Sequence, residues 1–315
     1  MHDEVFAQNT FSQFYSSPLT INAANTGRFD GNYRVGGINR NEKKSSGISN
    51  QASFFFDTRI LASFLPDNDK IAIGTVASYE KNSINGVFKK TNISLSLAYH
   101  KSLNEEGSTL ISVGFQLGIS SQSLEFPPYI FEDQIADWLR SGYSGLQFSQ
   151  SKNISFSYPD LNIGAGYQTQ LNSDNRITAG ISLLHANSPS RSFNGGEFKL
   201  TRVGSLQLGW ERSINPRSKF YTSFLVDYTQ QDKLSNIYGN IFYRARIEET
   251  SYKIGIGSSF RKSVIAGDAV IPCVALYYGR FILNTAYDIN ISSKTTAQRS
   301  AFEISILYTA LQRAQ

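Results

Sequence analysis

Apolar and polar residues alternate with period two along most of this chain. Between Gly279 and Ile291, Phe281, Leu283, Tyr287, Ile289 and Ile291 share one parity, while Asn284, Ala286, Asp288 and Asn290 share the other. After a polar break, Phe302, Ile304, Ile306 and Tyr308 oppose Glu303 and Ser305. Side chains of a strand point to alternate faces, so the stretch 279–308 predicts an amphipathic hairpin whose strands run about ten residues each. The unit recurs upstream. In 108–120, Ile111, Val113, Phe115, Leu117 and Ile119 oppose Ser112, Gly114, Gln116, Gly118 and Ser120. The pattern predicts strands at 31–40, 51–63, 69–80, 91–102, 108–120, 157–170, 175–186, 198–213, 218–230, 237–247, 251–262, 269–278, 280–291 and 300–309, about fourteen and an even number.

A soluble sandwich would alternate too, so the connections decide. Short turns such as LPDND, NEEGS, NSDN and NPRS alternate with longer segments such as NEKKSSGISN, EKNSINGVFKK and ANSPSRSFNGGE, and one runs over 121–156. Short turns on one side and long loops on the other describe an outer-membrane barrel, antiparallel and up-and-down, with both termini in the periplasm. Tyr79, Tyr99, Tyr167, Tyr228 and Phe260 at strand ends fit aromatic girdles at the membrane interfaces. Residues 1–30 do not alternate; they predict an ordered, extended periplasmic arm or plug ahead of an all-β transmembrane barrel over 31–310. Val5-Phe6-Ala7-Gln8 resembles the end of a signal-peptide cleavage site.

Composition agrees with lipid exposure. Charged residues are 17% of the chain against roughly a quarter in soluble domains, while 17 Tyr and 22 Phe are present. No run approaches the ~18 apolar residues of a membrane helix, so the spans are strands. The net charge of +5 is scattered, which disfavours nucleic acid as a partner. Three His and the single Cys273 lie far apart, so neither a metal centre nor a disulfide framework is expected, and no cofactor.

Candidate chemistry is sparse. His100 follows the polar parity of its strand and is expected in the lumen near the periplasmic rim. His185 follows the apolar parity of Ile177, Ala179, Ile181 and Leu183, which places it at the extracellular interface. Ser182 and His185 fall on opposite parities, so a membrane phospholipase-like Ser–His pair is not formed and no catalytic residue is expected. Gly164-x-Gly166 and Gly255-x-Gly257 sit inside alternating strands and open no helix; they predict lumen positions where the wall bends or side chains crowd. On the lumen parity, Arg244, Arg246, Lys253 and Arg261, with Asp227, Asp288 and Glu303, suggest either a salt-bridge network or an ion-selective constriction. Within 121–156, Ile135, Trp138 and Leu139 stand at helical spacing after Pro127-Pro128, as a short helix over the barrel mouth or a docking surface.

The chain also resembles a known family. Phe11-Ser12-Gln13-Phe14-Tyr15-Ser16-Ser17-Pro18-Leu19 is similar to the opening FSQFY-x-x-PL signature of the PorP/SprF family, outer-membrane proteins linked to type IX secretion and gliding motility in Bacteroidota. Asn22-Ala23-Ala24-Asn25-Thr26-Gly27 follows, without the proline the family's Asn-Pro-Ala-like element has at its second position. Leu124-Glu125-Phe126 with Asp133-Gln134, Asp160 to Gly166, Ser182 to His185, Phe260-Arg261, Ala286-Tyr287-Asp288 and Glu303-Ile304 resemble further family blocks across the chain.

The resemblance implies a fourteen-stranded barrel that is not an enzyme. It implies a part in exporting or retaining large cargo such as adhesins, recognised by their C-terminal domains, and contact with periplasmic and outer-membrane secretion machinery as well as lipid. Candidate partner-contacting residues are Phe11, Gln13, Phe14, Tyr15, Pro18, Leu19 and Asn22 of the arm, and Trp138. Large apolar side chains left exposed cost roughly 1.5–3 kcal/mol each, so the arm either seals its own barrel or docks on a partner. A channel for small or hydrophobic solutes is the competing reading.

Overall fold

In the computed structural model the alternating stretches are strands that close on themselves. It describes residues 11–310 apart from 45–46, 61–64, 67, 84–86, 127–151, 194–195, 230–232, 249, 264–267 and 293–299. Strands β1 (Tyr33–Lys44), β2 (Gly47–Ile60), β3 (Lys70–Ser83), β4 (Val87–Ser102), β5 (Thr109–Phe126), β6 (Lys152–Gln170) and β7 (Asn175–Leu184) run up and down in order. A separate hairpin, β8 (Ser190–Phe193) and β9 (Gly196–Lys199), comes next. The wall resumes with β10 (Val203–Asn215), β11 (Ser218–Thr229), β12 (Lys233–Arg246), β13 (Tyr252–Ser263), β14 (Ala269–Tyr278), β15 (Phe281–Asn290) and β16 (Ser300–Thr309). Every wall strand is antiparallel to its neighbours, and β1 pairs with β16 from Arg34↔Thr309 to Lys43↔Ser300, so the fourteen-stranded barrel has no free edge.

The parity rule holds around the wall. On β5, Ile111, Val113, Phe115, Leu117 and Ile119 are exposed on the outside, whereas Ser112, Gln116 and Ser120 are buried inside. The outer surface is thus the apolar face a bilayer requires. Aromatic rings gather near one rim, where Tyr252 stacks on Tyr278 and Phe281 meets Tyr308 at a tilt of 47°, both pairs with centroids 4.8 Å apart. That rim carries the connections 103–108, 171–174, 216–217 and 279–280 and is called the turn end. The loop end is where β5 stops, β6 begins and the β8–β9 hairpin lies.

Several connections expected as loops at this second end are ladder instead. β1 and β2 stay paired as far as Lys44↔Gly47, β3 and β4 as far as Ser83↔Val87, and β5 and β6 as far as Phe126↔Lys152. Polar side chains lower neither the number nor the geometry of ladder hydrogen bonds, so a hairpin can extend beyond the apolar band that its alternation marks. The expected loop over 121–156 therefore loses both its ends to strand, and Ile135, Trp138 and Leu139 lie outside the described residues.

Candidate functional site

The lumen is occupied by the chain's own N-terminal arm. It is not extended as expected but makes three 3₁₀ turns, Phe14–Ser16, Pro18–Thr20 and Ala23–Asn25. Short polar side chains explain this, because they bond to nearby backbone in place of a ladder. Asn22 Oδ1 accepts from Ala24 N at 2.8 Å, Thr20 Oγ1 donates to Ser17 O at 2.7 Å, and Asn25 Nδ2 donates to Pro18 O at 2.9 Å. Pro18 opens the second turn, where its missing N–H costs nothing.

The arm touches most of the wall. Phe14 and Ile21 pack with Leu225 and Tyr238, with Tyr15 at their side, while Leu19 packs with Phe55 and Val76. Asn22 Nδ2 donates to Ala165 O on β6 and Ile181 O on β7, both at 3.1 Å. Two wall glycines make this approach possible. A Cβ on Gly114 would lie 2.4 Å from Ala23 C and Ala24 N, and one on Gly164 would lie 2.0 Å from Asn22 Oδ1. Of the candidate partner-contacting residues in the arm, Phe11, Gln13, Phe14, Leu19 and Asn22 are buried and Tyr15 and Pro18 half-buried. The side chains considered for a docking strip are thus spent on the barrel's own interior.

A buried ionic cluster holds the start of the described arm. Ser12 N donates to Glu303 Oε1 at 2.7 Å and Gln13 N to Glu303 Oε2 at 2.8 Å. Arg40 bridges both acids, with Nη1 2.6 Å from Glu303 Oε1 and Nη2 2.8 Å from Asp288 Oδ2. Arg261 Nη1 reaches Asp288 Oδ2 at 2.5 Å. Ser12 Oγ donates to Asp288 Oδ2 at 3.1 Å and accepts from Arg40 Nη1 at 2.8 Å. Two guanidinium groups thus share the Asp288 and Glu303 carboxylates away from water, with Glu42 Oε2 a further 4.0 Å from Arg40 Nη2; the arm's backbone takes up both Glu303 oxygens, while Asp288 Oδ1 has no hydrogen-bond partner among the described residues. Such clusters survive burial only when charge is balanced and nearly every polar atom has a partner. Nearer the turn end Asp57 repeats the motif, accepting from Gly27 N at 2.7 Å and from Arg34 Nε at 3.0 Å and Nη2 at 2.8 Å.

The charge network expected from lumen parity is only partly assembled. Arg261, Asp288 and Glu303 meet, and Asp288 and Glu303 are linked through Arg40 and Ser12. Arg244, Arg246 and Lys253 stand elsewhere: the register pairs Arg246 with Lys253 at the turn end and Asn236 with Ser263 at the other. Arg244 instead lies over the rings of Tyr221 and Tyr277, 5.4 and 5.2 Å from their centroids, and Arg246 Nε donates to Thr250 O at 3.2 Å. Asp227 accepts from Ser205 Oγ at 2.7 Å. Arg40, Ser12 and the Arg34–Asp57 pair were missed, although Arg34, Ile38 and Arg40 share one buried parity that could have flagged them.

His100 and His185 both bond to groups of the barrel interior. His100 lies in the lumen, with Nε2 2.7 Å from Thr26 O and Nδ1 2.6 Å from Ser112 Oγ. Since a carbonyl can only accept, Nε2 carries a proton. His185 is not at the lipid interface: β7 ends at Leu184, and His185 takes a left-handed φ of 57° that turns its ring inward to Asp160 Oδ1 at 2.8 Å. Ser182 also faces inward but donates to Ile21 O at 2.7 Å, so it is committed to the arm. Among the described residues no group of three His, Cys, Asp or Glu could hold a metal ion.

A closed antiparallel barrel of fourteen strands, apolar outside and filled with polar side chains inside, is a membrane β-barrel of the outer-membrane kind. The sequence matches the family described as type IX secretion system membrane protein PorP/SprF over residues 6–308, nearly the whole chain. The protein belongs to the PorP/SprF family. No curated protein matches it in sequence. Among solved structures, the Pseudomonas putida toluene transporter TodX is similar at 12% identity over 92% of each chain, with a TM-score of 0.58. A Pseudomonas aeruginosa FadL homologue is similar at 9% identity over 91% of this chain and 92% of its own, with a TM-score of 0.55. The CymD monoaromatic hydrocarbon channel, at 9% identity over 95% and 94%, has a TM-score of 0.54. At these identities the likeness concerns the fold.

Proposed function

We propose that this barrel is a non-enzymatic component of the type IX apparatus that assists export or surface retention of large cargo such as adhesins, recognised by their C-terminal domains, and that it contacts periplasmic machinery. Family membership supports the reading. The observation that carries it is the arm seated across the lumen and bonded to Glu303 through two successive backbone N–H groups. A lumen filled in this way favours a docking and anchoring body over a path for free diffusion. Affinity recovery from detergent-solubilised outer membranes tests it: secretion components and C-terminal-domain cargo are expected to come with the barrel, and their absence would remove the proposal.

A second reading is a channel for small or hydrophobic solutes, favoured by the similarity of the barrel to the toluene transporter TodX and the hydrocarbon channel CymD. It requires the arm to leave the lumen. A steady, large current from the reconstituted wild-type barrel would favour it; a closed barrel with recovered partners would favour the first.

A further inference from the structure

At the turn end, the last residues of the arm and the wall enclose a cavity of about 190 Å³ lined by Gly27 to Asp30 together with Arg59, Lys70, Gln168, Gln170 and Arg176. Four cations, Arg28, Arg59, Lys70 and Arg176, face a single acid, Asp30. Two of the four are occupied. Arg176 holds Asp30 at 3.1 Å and Gln170 at 3.1 Å, and Arg59 donates to Gly27 O at 2.9 Å and to Phe29 O. The other two are not. Arg28 Nη1 is buried with no hydrogen-bond partner among the described residues, and the half-buried Lys70 feels Asp30 only through space, with Arg59 opposing it. Burial and the neighbouring Arg34 pull Arg28 from the usual guanidinium range to about 10.

A buried guanidinium nitrogen without an acceptor, such as Nη1 of the half-buried Arg28, is costly, and folded chains rarely keep one unless something else completes it. Elsewhere in this lumen each buried arginine of the ionic clusters, Arg34, Arg40 and Arg261, has a carboxylate. The missing partner here is a group of the same chemistry. Across the same mouth the lumen wall adds Lys219, Arg244, Arg246 and Lys253 against Glu211, so the field at this end draws anions in.

We propose that this cavity is an oxyanion site that takes a carboxylate or phosphate group presented from the turn end, with Arg28 and Lys70 as its charged ligands and the Gln168 amide as a neutral donor. The cavity fits one such group rather than a chain, so a larger ligand inserts only an acidic tip. A guanidinium and an ammonium together hold either oxyanion, the first by paired N–H donors and the second as a point charge. The site is independent of whether the barrel handles adhesins, since it concerns only what this end binds.

Titration calorimetry on the purified, detergent-held full chain at low salt tests the site, using inorganic phosphate and, separately, a Glu-Gly octapeptide. Saturable binding of at least one probe is expected, weakening as salt rises. Arg28→Gln and Lys70→Gln are each expected to weaken it about tenfold or more, the loss of one charge-assisted hydrogen bond. Tighter binding of the peptide assigns the carboxylate, and tighter binding of phosphate assigns the phosphate. Should Arg28→Gln fail to give a heat-modifiable barrel, Lys70→Gln decides alone. No saturable binding of either probe, or unchanged binding in folded variants, overturns the proposal.

Discussion

Replacing Glu303 with Gln should unseat the arm while leaving the barrel standing. The glutamine has the same shape, but its Nε2 must face either Ser12 N or Gln13 N, which now occupy the two carboxylate oxygens at 2.7 and 2.8 Å. One accepting contact becomes a donor facing a donor. Arg40 also loses its 2.6 Å partner, and Arg40 and Arg261 then share Asp288, with Glu42 4.0 Å from Arg40 as the nearest other charge. Breaking a buried ion pair from one side costs about 3–5 kcal/mol, which is roughly a hundred- to several-thousand-fold in the ratio of seated to unseated arm. The fourteen-strand ladder does not pass through the Glu303 side chain, so heat-modifiable mobility on gels should persist. Trypsin reads the change at Arg28, a basic residue of the arm that is half-buried while the arm is seated. When opening is fast relative to cleavage, nicking tracks the open population, so Glu303→Gln should be cut faster by about that factor and conduct in planar bilayers. Glu248→Gln serves as a control: Glu248 is 82% exposed in its pair with Arg217, and its loss should change neither readout. Equal nicking of the folded Glu303→Gln and wild-type barrels would refute the latch.

Other perturbations reach the arm and its surroundings by different routes. Gly114→Val places a side chain where Ala23 and Ala24 backbone lies at 2.4 Å, so it should displace the third turn and raise Arg28 cleavage without altering the Glu303 cluster; unchanged cleavage contradicts the packing. Asn22→Ala removes the cap on Ala24 N and two bonds to wall carbonyls, about 1 kcal/mol each, and should raise cleavage by a smaller factor than Glu303→Gln. In the turn after β2, hydrogen bonds from the Tyr99 hydroxyl and then Ser102 N hold the Asp69 carboxyl below its usual range. A depressed carboxylate stabilises the fold above its unfolded pKa, near 4, and that contribution is lost as pH falls through the folded value. The thermal midpoint of Asp69→Asn should therefore lie slightly below wild type at pH 7 and converge with it in acid; a gap that widens in acid would contradict the sign.

The barrel was legible because a strand's period is two and one face of every strand meets lipid. Ile111 to Ile119 announced their exposure, and Ser112 to Ser120 their lumen side, without knowledge of any neighbour. The hairpin of Phe281 to Tyr308 showed its two faces the same way, though not its register. His185 marks where that reasoning ends: parity is defined only while the backbone stays extended, and one left-handed residue after Leu184 turns the side chain from lipid to lumen. The arm's local shape was misjudged for a related reason, since its Ser, Asn and Pro residues form local hydrogen bonds that no period reveals.

The site was harder, because parity names a face and says nothing of height. Arg244, Arg246, Lys253 and Arg261 are near in sequence and share the lumen, which invited grouping them. Yet Lys253 and Arg261 are eight residues apart on one strand, and at about 3.4 Å per residue that is roughly 27 Å along it, most of the membrane. They belong to opposite ends. Arg40 lies 248 residues from Asp288 and 263 from Glu303, and meets them because β1 closes on β16. Barrel closure is the step that turns the first and last strands into neighbours. Given that closure, the height rule alone would have selected Arg40 as the partner of Glu303, seven residues into β1 and six from the end of β16, and left Arg244, Arg246 and Lys253 of β12 and β13 at the mouth.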